Sequence, residues 1–348
     1  MPIVTDPAET RRFLETLRQC RAAVPCFCTE NSWTTEAVLQ ATKAAGLRFG
    51  IAQPPVCLAF TAGYPGRRNL SNYWACGDQK LGLSGVLGDL RVLTAPDGPY
   101  ASCRVFPHLD HGQPEADRWL LEGHLDQFAM VMFDASAFPL EENIARTAAY
   151  VERFGDRVVI EGAADELKAA GSGGAAFPLT TPEQAKRFVQ GTGCDLIVPN
   201  VGTEHRAAQA GRAAYSGGRA REIAAAVGPR LVLHGTSCLG ESDLSGLPGD
   251  GFVKVNVWTI VEKMGAHEVC RYVLTHARRL MDPARVEELT AEGLLGERAG
   301  SPHGEAAPPG PDLDYFPLIN LRGAWVRAVS AMLVRYFEML GYARLPKR

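Results

Sequence analysis

DLIVPNVG (195–202), GRAREIAAAVG (218–228), RLVLHGTS (230–237) and FVKVNVWT (252–259) are the stretches that decide how this chain reads. The first, third and fourth are short runs of branched apolar residues, nearly continuous in hydrophobicity, as parallel strands covered on both faces should be. The second has helical spacing and ends in glycine. Towards the N-terminus the alternation recurs. VPCFCTEN (24–31), PVCLAFTAG (55–63), CRVFPHLDHG (103–112), AMVMFDAS (129–136) and RVVIEGA (157–163) read as further strands. TTEAVLQATKAAG (34–46), PEADRWLLEG (114–123) and PLEENIARTAAYVERFG (139–155) read as helices. Thr181-Pro182-Glu183-Gln184 adds a helix start: an N-cap, a proline at the first helical position and a glutamine three residues after the cap. Eight β-then-α units in about 280 residues predict an α/β fold, the (β/α)8 TIM barrel, whose usual size is about 250. An open doubly wound sheet is the runner-up, and it seldom needs eight regularly spaced units.

Beyond the eighth strand the pattern changes. A long helical stretch (IVEKMGAHEVCRYVLTHARRLM) is followed by the Gly/Pro/Ala-rich GERAGSPHGEAAPPGP (296–311) and a helical segment over 325–340. The expected organisation is a barrel over 1–281, with a linker and C-terminal helical extension packing on it over 282–348.

The chain has 348 residues, 46% hydrophobic, with 22% charged and a net charge of −3, so the basic imbalance of a nucleic-acid binder is absent. Apolar stretches such as FAMVMF (128–133) fall far short of the roughly 18 residues that span a bilayer. The first residues, MPIVTDPAETRRFLETLR, carry early acidic groups and no apolar signal core. Nine cysteines, an odd number without a CxxC pair, read as reduced core thiols rather than a disulfide frame or a four-cysteine zinc site. These features together predict a cytoplasmic protein that binds neither membrane nor nucleic acid.

A barrel builds its active site at the C-terminal ends of its strands. There, the third strand carries Asp110 and His111, the sixth leads to His205, and the seventh ends at His234. Three imidazoles that leave one coordination position open form a catalytic zinc arrangement. Each also suits a hydrogen-bonded structural role, the reading given to His108, His124, His267, His276 and His303. Strict alternation would point His108 and Asp110 one way and His111 the other; Gly112 lets the chain leave strand geometry so that both Asp110 and His111 face the mouth. Asp110 could then move a proton on a substrate hydroxyl, or it could cap the helix beginning near Pro114. Gly235-Thr236-Ser237 and Asn256-Val257-Trp258-Thr259 occupy the usual phosphate-binding loops of this fold, although small hydroxylated residues are also ordinary turn chemistry.

In order, ENSWTTEAVLQATKAAG, HLDHG, VMFDAS with PLEENI, VVIEG, VGTEHR, VLHGTS and VKVNVWT resemble the zinc-dependent class II fructose-bisphosphate aldolases over about 24–259. The terminal DYFPLINLRGAWVRAVSAMLVRYFEML is similar to the C-terminal helix of their longer subgroup. The resemblance implies that His111, His205 and His234 hold Zn2+ and that Asp110 exchanges a proton with the substrate hydroxyl. It implies that Gly235, Ser237, Asn256 and Thr259, with Thr61, cradle a dihydroxyacetone-phosphate-like portion, and that Arg322 reads a distal phosphate. The residue-level reading of Arg322 is a solvated arginine opening an exposed helix. A homodimer is also implied.

Departures from the family pattern shape the expectation. Glu-x-Glu is Glu161-Gly162-Ala163 here, Arg206 replaces the glycine after the second histidine, and Gln209 and Arg212 stand near where a phosphate-binding lysine is usual. Asn-x-Asp-Thr has become Asn256-Val257-Trp258-Thr259. Exchanging a carboxylate for an indole removes an acceptor and fills volume, so ordinary fructose 1,6-bisphosphate should fit poorly. The base that deprotonates the ketone falls to Asp165 or Glu166, which also read as solvated loop charges. The expectation is a zinc aldolase acting on an anionic, phosphorylated or carboxylated sugar-like substrate. Its alternatives are a non-catalytic aldolase-like subunit or binding protein, favoured by Ala163 and Trp258, and a metal-dependent epimerase or isomerase using the same enediolate chemistry.

Overall fold

The computed structural model describes residues 2–165, 178–203, 215–296, 311–316 and 318–347. Its strands are β1 (Val24–Cys28), β2 (Pro55–Phe60), β3 (Arg104–Gly112), β4 (Met130–Phe133), β5 (Val159–Ala163), β6 (Leu196–Val198), β7 (Leu231–Leu233) and β8 (Phe252–Val257). They pair in parallel and in chain order, and β8 closes on β1. The predicted TIM barrel is the observed fold. Several strands stop before their apolar runs do, because the last residues peel away into the loops of the C-terminal mouth. All strand residues are buried except the half-exposed Arg104, which explains the unbroken hydrophobic runs. Each fully buried Val, Leu, Ile or Phe contributes about 1.5–3 kcal/mol.

The helices are α1 (Pro7–Cys20), α2 (Ser32–Phe49), α3 (Asn69–Asn72), α4 (Gln79–Leu93), α5 (Arg118–Gly123), α6 (Leu140–Phe154), α7 (Pro182–Thr192), α8 (Gly217–Val227), α9 (Glu241–Gly246), α10 (Thr259–Thr275), α11 (Ala277–Leu280), α12 (Pro283–Ala291) and α13 (Leu318–Met339). The helix start read at Thr181 is a reciprocal capping box: Gln184 N donates to Thr181 Oγ1 at 3.1 Å, and Thr181 N to Gln184 Oε1 at 2.9 Å. Several helices go beyond the sequence reading, α1, α3, α4, α9 and α12, and two of them are long. α1 is capped by Asp6, which accepts from Glu9 N at 2.6 Å, and it crosses the N-terminal end of the barrel, stacking Phe13 on Phe106 with centroids 4.4 Å apart. α4, between β2 and β3, is capped by Asp78 accepting from Leu81 N at 2.8 Å.

The C-terminal helix is built into the barrel wall. α13 packs against α2 and α10, and the Phe337 ring meets Phe27 of β1 at 5.7 Å. Trp325 lies so close to Gly265 that a Cβ there would sit 2.3 Å from the indole, while its Nε1 donates to Thr34 Oγ1 at 3.2 Å. Among the described residues no helix is long and apolar enough to cross a membrane.

Candidate active site

The site starts at the end of β3. His108 and Asp110 point into the barrel together, His108 Nε2 lying 3.7 Å from Asp110 Oδ1. His111 breaks the alternation by adopting φ 49°, in the left-handed region, where the β3–β4 register shifts between Leu109 and Gly112. The escape from strand geometry expected at Gly112 thus occurs at the histidine itself. Gly112 serves close packing instead, since a Cβ there would lie 2.9 Å from both Leu121 Cδ2 and the Met132 carbonyl oxygen. A non-glycine residue in that region costs on the order of 1–3 kcal/mol and persists only where its surroundings hold it. Two neighbours do so: His111 Nδ1 donates to Asp134 Oδ2 at 2.6 Å, and the ring stacks on Tyr64 with centroids 4.0 Å apart. Ser136 Oγ donates to the other Asp134 oxygen at 2.6 Å, fixing that carboxylate in turn.

His234 follows β7. Its Nε2 lies 3.3 Å from Glu161 Oε1, and its Nδ1 lies 3.1 Å from His111 Nε2. Carboxylates therefore occupy the outer nitrogen of each ring and leave the inner nitrogens, His111 Nε2 and His234 Nδ1, facing each other. Burial pushes His234 down to about 4, which keeps it neutral. Asp110, His111 and His234 offer ligand atoms that all lie within 4.8 Å of one another. Tetrahedral zinc with bonds of about 2.0–2.1 Å places two ligand nitrogens roughly 3.3 Å apart, close to the spacing seen. The charges agree with a cation. Carboxylates of Asp110, Asp134 and Glu161 face the side chains of Arg67 and Lys254, so in the described group the carboxylates outnumber the Arg and Lys cations by one. The donor set thus fits a divalent metal. His205, Arg206, Gln209, Arg212 and Glu166 lie outside the described residues.

Beneath the histidines the barrel interior is polar. Lys254 Nζ lies 2.9 Å from Glu161 Oε2, 2.7 Å from Asn256 Oδ1 and 3.2 Å from His108 Nε2. Burial alone would raise the Glu161 carboxyl, but Lys254 and His234 outweigh it and hold it at about 2. Burial likewise opposes ionisation of Asp110, and Arg67 and the adjacent histidines prevail, keeping it well below the usual carboxylate range. Asp110 Oδ1 accepts from Asn256 Nδ2 at 2.9 Å, and Oδ2 pairs with Arg67 Nη2.

A narrow cleft opens above this cluster, lined by Tyr64, Arg67, His234, the Gly235-Thr236-Ser237 turn, Asn256, Trp258 and Thr259. Gly235 has φ 74°, a conformation that favours glycine, and Thr236 Oγ1 ties the turn to the Asn256 carbonyl at 2.9 Å. The structure thereby gathers Gly235, Ser237, Asn256, Trp258 and Thr259 in one place. Thr61 is fully buried behind them, its hydroxyl bonding the Arg67 carbonyl and Asn69. Arg322 on α13 pairs with Glu36 of α2 and does not line the cleft. Asp165 lies two residues past β5, also off the cleft lining; burial raises its carboxyl, which accepts a hydrogen bond from the Thr180 hydroxyl. Ala163 is buried, its carbonyl accepting from Asn143 Nδ2 at 2.9 Å.

The sequence reading passed over Tyr64, Arg67, Asp134 and Lys254. Asp134 could have been found by the strand-end rule that located His111. Lys254 stood out as a lone cation inside an apolar run. Tyr64 and Arg67 sit in a Gly/Pro loop whose composition gives no sign that it folds over the mouth.

A family model described as fructose-bisphosphate aldolase class-II matches residues 8–294. A fructose-bisphosphate aldolase of Staphylococcus epidermidis is 27% identical over 272 residues, covering 76% of this chain and 84% of the relative. One from Staphylococcus aureus is 26% identical with the same coverage. Among solved structures, the chain resembles fructose-bisphosphate aldolase from Campylobacter jejuni with a TM-score of 0.74 at 17% identity, covering 99% of this chain and 97% of that one. It resembles the YdjI aldolase of Escherichia coli K12 with a TM-score of 0.61 at 20% identity, covering 95% and 96%. At these identities the two structures speak for the fold.

Proposed function

We propose, from the premise that this chain belongs to the class II fructose-bisphosphate aldolase family, that it is a zinc-dependent aldolase acting on an anionic substrate other than ordinary fructose 1,6-bisphosphate. The observation that carries the reading is the convergence of His111 Nε2 and His234 Nδ1 at 3.1 Å beside Asp110. His111 and His234, with His205 as the third ligand, would hold the ion. When bound, Zn2+ supplies Lewis acidity that polarises a ketone carbonyl.

The chain's own residues supply the rest. Ionised Asp110, held by Asn256 and Arg67, accepts or returns the proton of the hydroxyl on the carbon being joined or cleaved. Asp165 or Glu166 serves as base on the carbon acid. The Gly235-Thr236-Ser237 turn, with Asn256 and Thr259, cradles the phosphate of a dihydroxyacetone-phosphate-like donor. Trp258 fills the place where the family pattern carries a carboxylate, which favours a different substrate. Arg206 is assigned to the anionic end of the substrate, a role that Arg322 does not share within the chain because it is paired with Glu36 off the cleft, and the active form is assigned to a cytoplasmic homodimer.

Metal analysis of the purified protein, with proton exchange from dihydroxyacetone phosphate into deuterated water followed by NMR, tests this reading. Stoichiometric zinc and exchange that depends on it are expected. A protein without stoichiometric metal, whose metal content and activity His111→Ala leaves unchanged, would overturn it.

A further inference from the structure

Arg67 is the one formally charged side chain among the described residues that line the cleft, and it is 6% exposed. Its guanidinium is held on several sides: Nη2 pairs with Asp110 Oδ2, Nη1 lies 3.9 Å from Cys28 Sγ, and the group sits 5.3 Å from the Trp258 ring centre and 5.6 Å from that of Tyr64. Its Nε is buried with no hydrogen-bond partner among the described residues. A buried donor left in that state is costly, and at the edge of a cleft an oxygen atom entering the cleft, from water or from a ligand, satisfies it.

We infer that Arg67 is the specificity-determining residue of this cleft and that it reads a carboxylate on the acceptor aldehyde. The inference rests on the aldolase reading and names its substrate class. In the condensation a proton leaves the donor carbon for the base, and that carbon forms a bond to the aldehyde carbon. The aldehyde π pair moves to its oxygen, which takes up a proton; nothing is oxidised or reduced, and no group departs. That oxygen becomes the hydroxyl handled by Asp110. The substituent on the same carbon therefore falls beside Asp110's neighbour, Arg67. A carboxylate attached directly to that carbon reaches the guanidinium, whereas a phosphate ester stands a further carbon and oxygen away. The aromatic rings hold the guanidinium in place, its open Nε–H offers one carboxylate oxygen a charge-assisted hydrogen bond, and the donor phosphate is left to the backbone donors of the Gly235-Thr236-Ser237 turn. The exchange of an expected carboxylate for Trp258 removes the repulsion such a group would have met.

The test compares three acceptors matched in their reacting end, glyoxylate, glycolaldehyde and glycolaldehyde phosphate, with dihydroxyacetone phosphate as donor and the zinc-loaded full chain as enzyme. The wild type should prefer glyoxylate over glycolaldehyde by about 10- to 100-fold in kcat/KM, the range of a charge-assisted hydrogen bond. Arg67→Met should bring the ratio near one, and Arg67→Lys, which keeps the charge but loses the Nε–H, should retain only part of it. Because the ratio is taken within each variant, a general loss of rate does not affect it. If Arg67→Met does not fold, the wild type and Arg67→Lys carry the comparison. Donor exchange without a glyoxylate preference, a preference for glycolaldehyde phosphate, or an unchanged ratio in the variants would overturn the inference and leave the aldolase reading standing. Absence of donor exchange in the zinc-loaded wild type would overturn both.

Discussion

His111 Nε2 lies 3.1 Å from His234 Nδ1, while the other nitrogen of each ring is committed to a carboxylate, Asp134 for His111 and Glu161 for His234. A cation placed between these two nitrogens takes both as ligands. Metal removal should therefore destabilise the fold. Binding at about 1,000 times Kd contributes roughly 4 kcal/mol, so stripping the ion should lower Tm by several degrees, and added Zn2+ should restore it. His234→Ala should abolish the difference. Identical melting curves with and without chelator would sink the idea.

Asp134 does not belong to the ligand cluster, yet it fixes which His111 nitrogen carries the proton. Asp134→Asn keeps the shape but removes the charge and can present an N–H to Nδ1, favouring the wrong tautomer. Metal affinity should fall by about 10- to 100-fold with little change in fold, as usual for groups that orient a ligating histidine. Competition with a chromophoric chelator reads this directly, and equal affinities would remove Asp134 from the site.

The barrel was legible because strands buried on both faces must be apolar along their length, and the mouth histidines because strand ends are where this fold keeps its chemistry. α4 was hidden by its own packing. Gly82, Gly85 and Gly88 interrupt the helical pattern of Gln79–Leu93, yet a Cβ on Gly82 would lie 1.9 Å from the Leu70 carbonyl oxygen and one on Gly85 2.6 Å from the Trp74 indole nitrogen. Those two glycines permit close approach rather than flexibility. Arg67 was hidden for another reason: its partner Asp110 is 43 residues away, and only closure of the barrel brings them together.

Lys254 is fully buried, and Glu161 is its charged partner across the barrel. Lys254→Met would leave that carboxylate without its cation, a change that typically costs about 3–5 kcal/mol. Adding Glu161→Gln removes the stranded charge and should recover part of the loss. Urea unfolding of the two single variants and the double variant measures the coupling. Strictly additive effects would show that the pair does not act as a unit.

Glu262, in the first turn of α10, is pushed up to about 8, first by burial and then by the neighbouring Glu30 carboxylate. Thr34 Oγ1 donates to its Oε1 at 3.4 Å, and Thr34 also receives the Trp325 indole N–H, so the group lies where α2, α10 and α13 meet. A carboxyl that is protonated in the folded chain and ionised in the unfolded one binds more protons when folded. Stability must then fall as pH rises from the ordinary glutamate value near 4.3, and the fall levels off above about 8. The slope approaches about 1.4 kcal/mol per pH unit for a single such group, less to the extent that water screens it. Glu262→Gln keeps a neutral group of the same size, so it should flatten the decline between pH 5 and pH 8 and raise Tm most at the alkaline end. Thermal melts of both proteins across that range decide the matter: parallel curves would mean that Glu262 is ionised in the folded chain and that Glu30 does not oppose it.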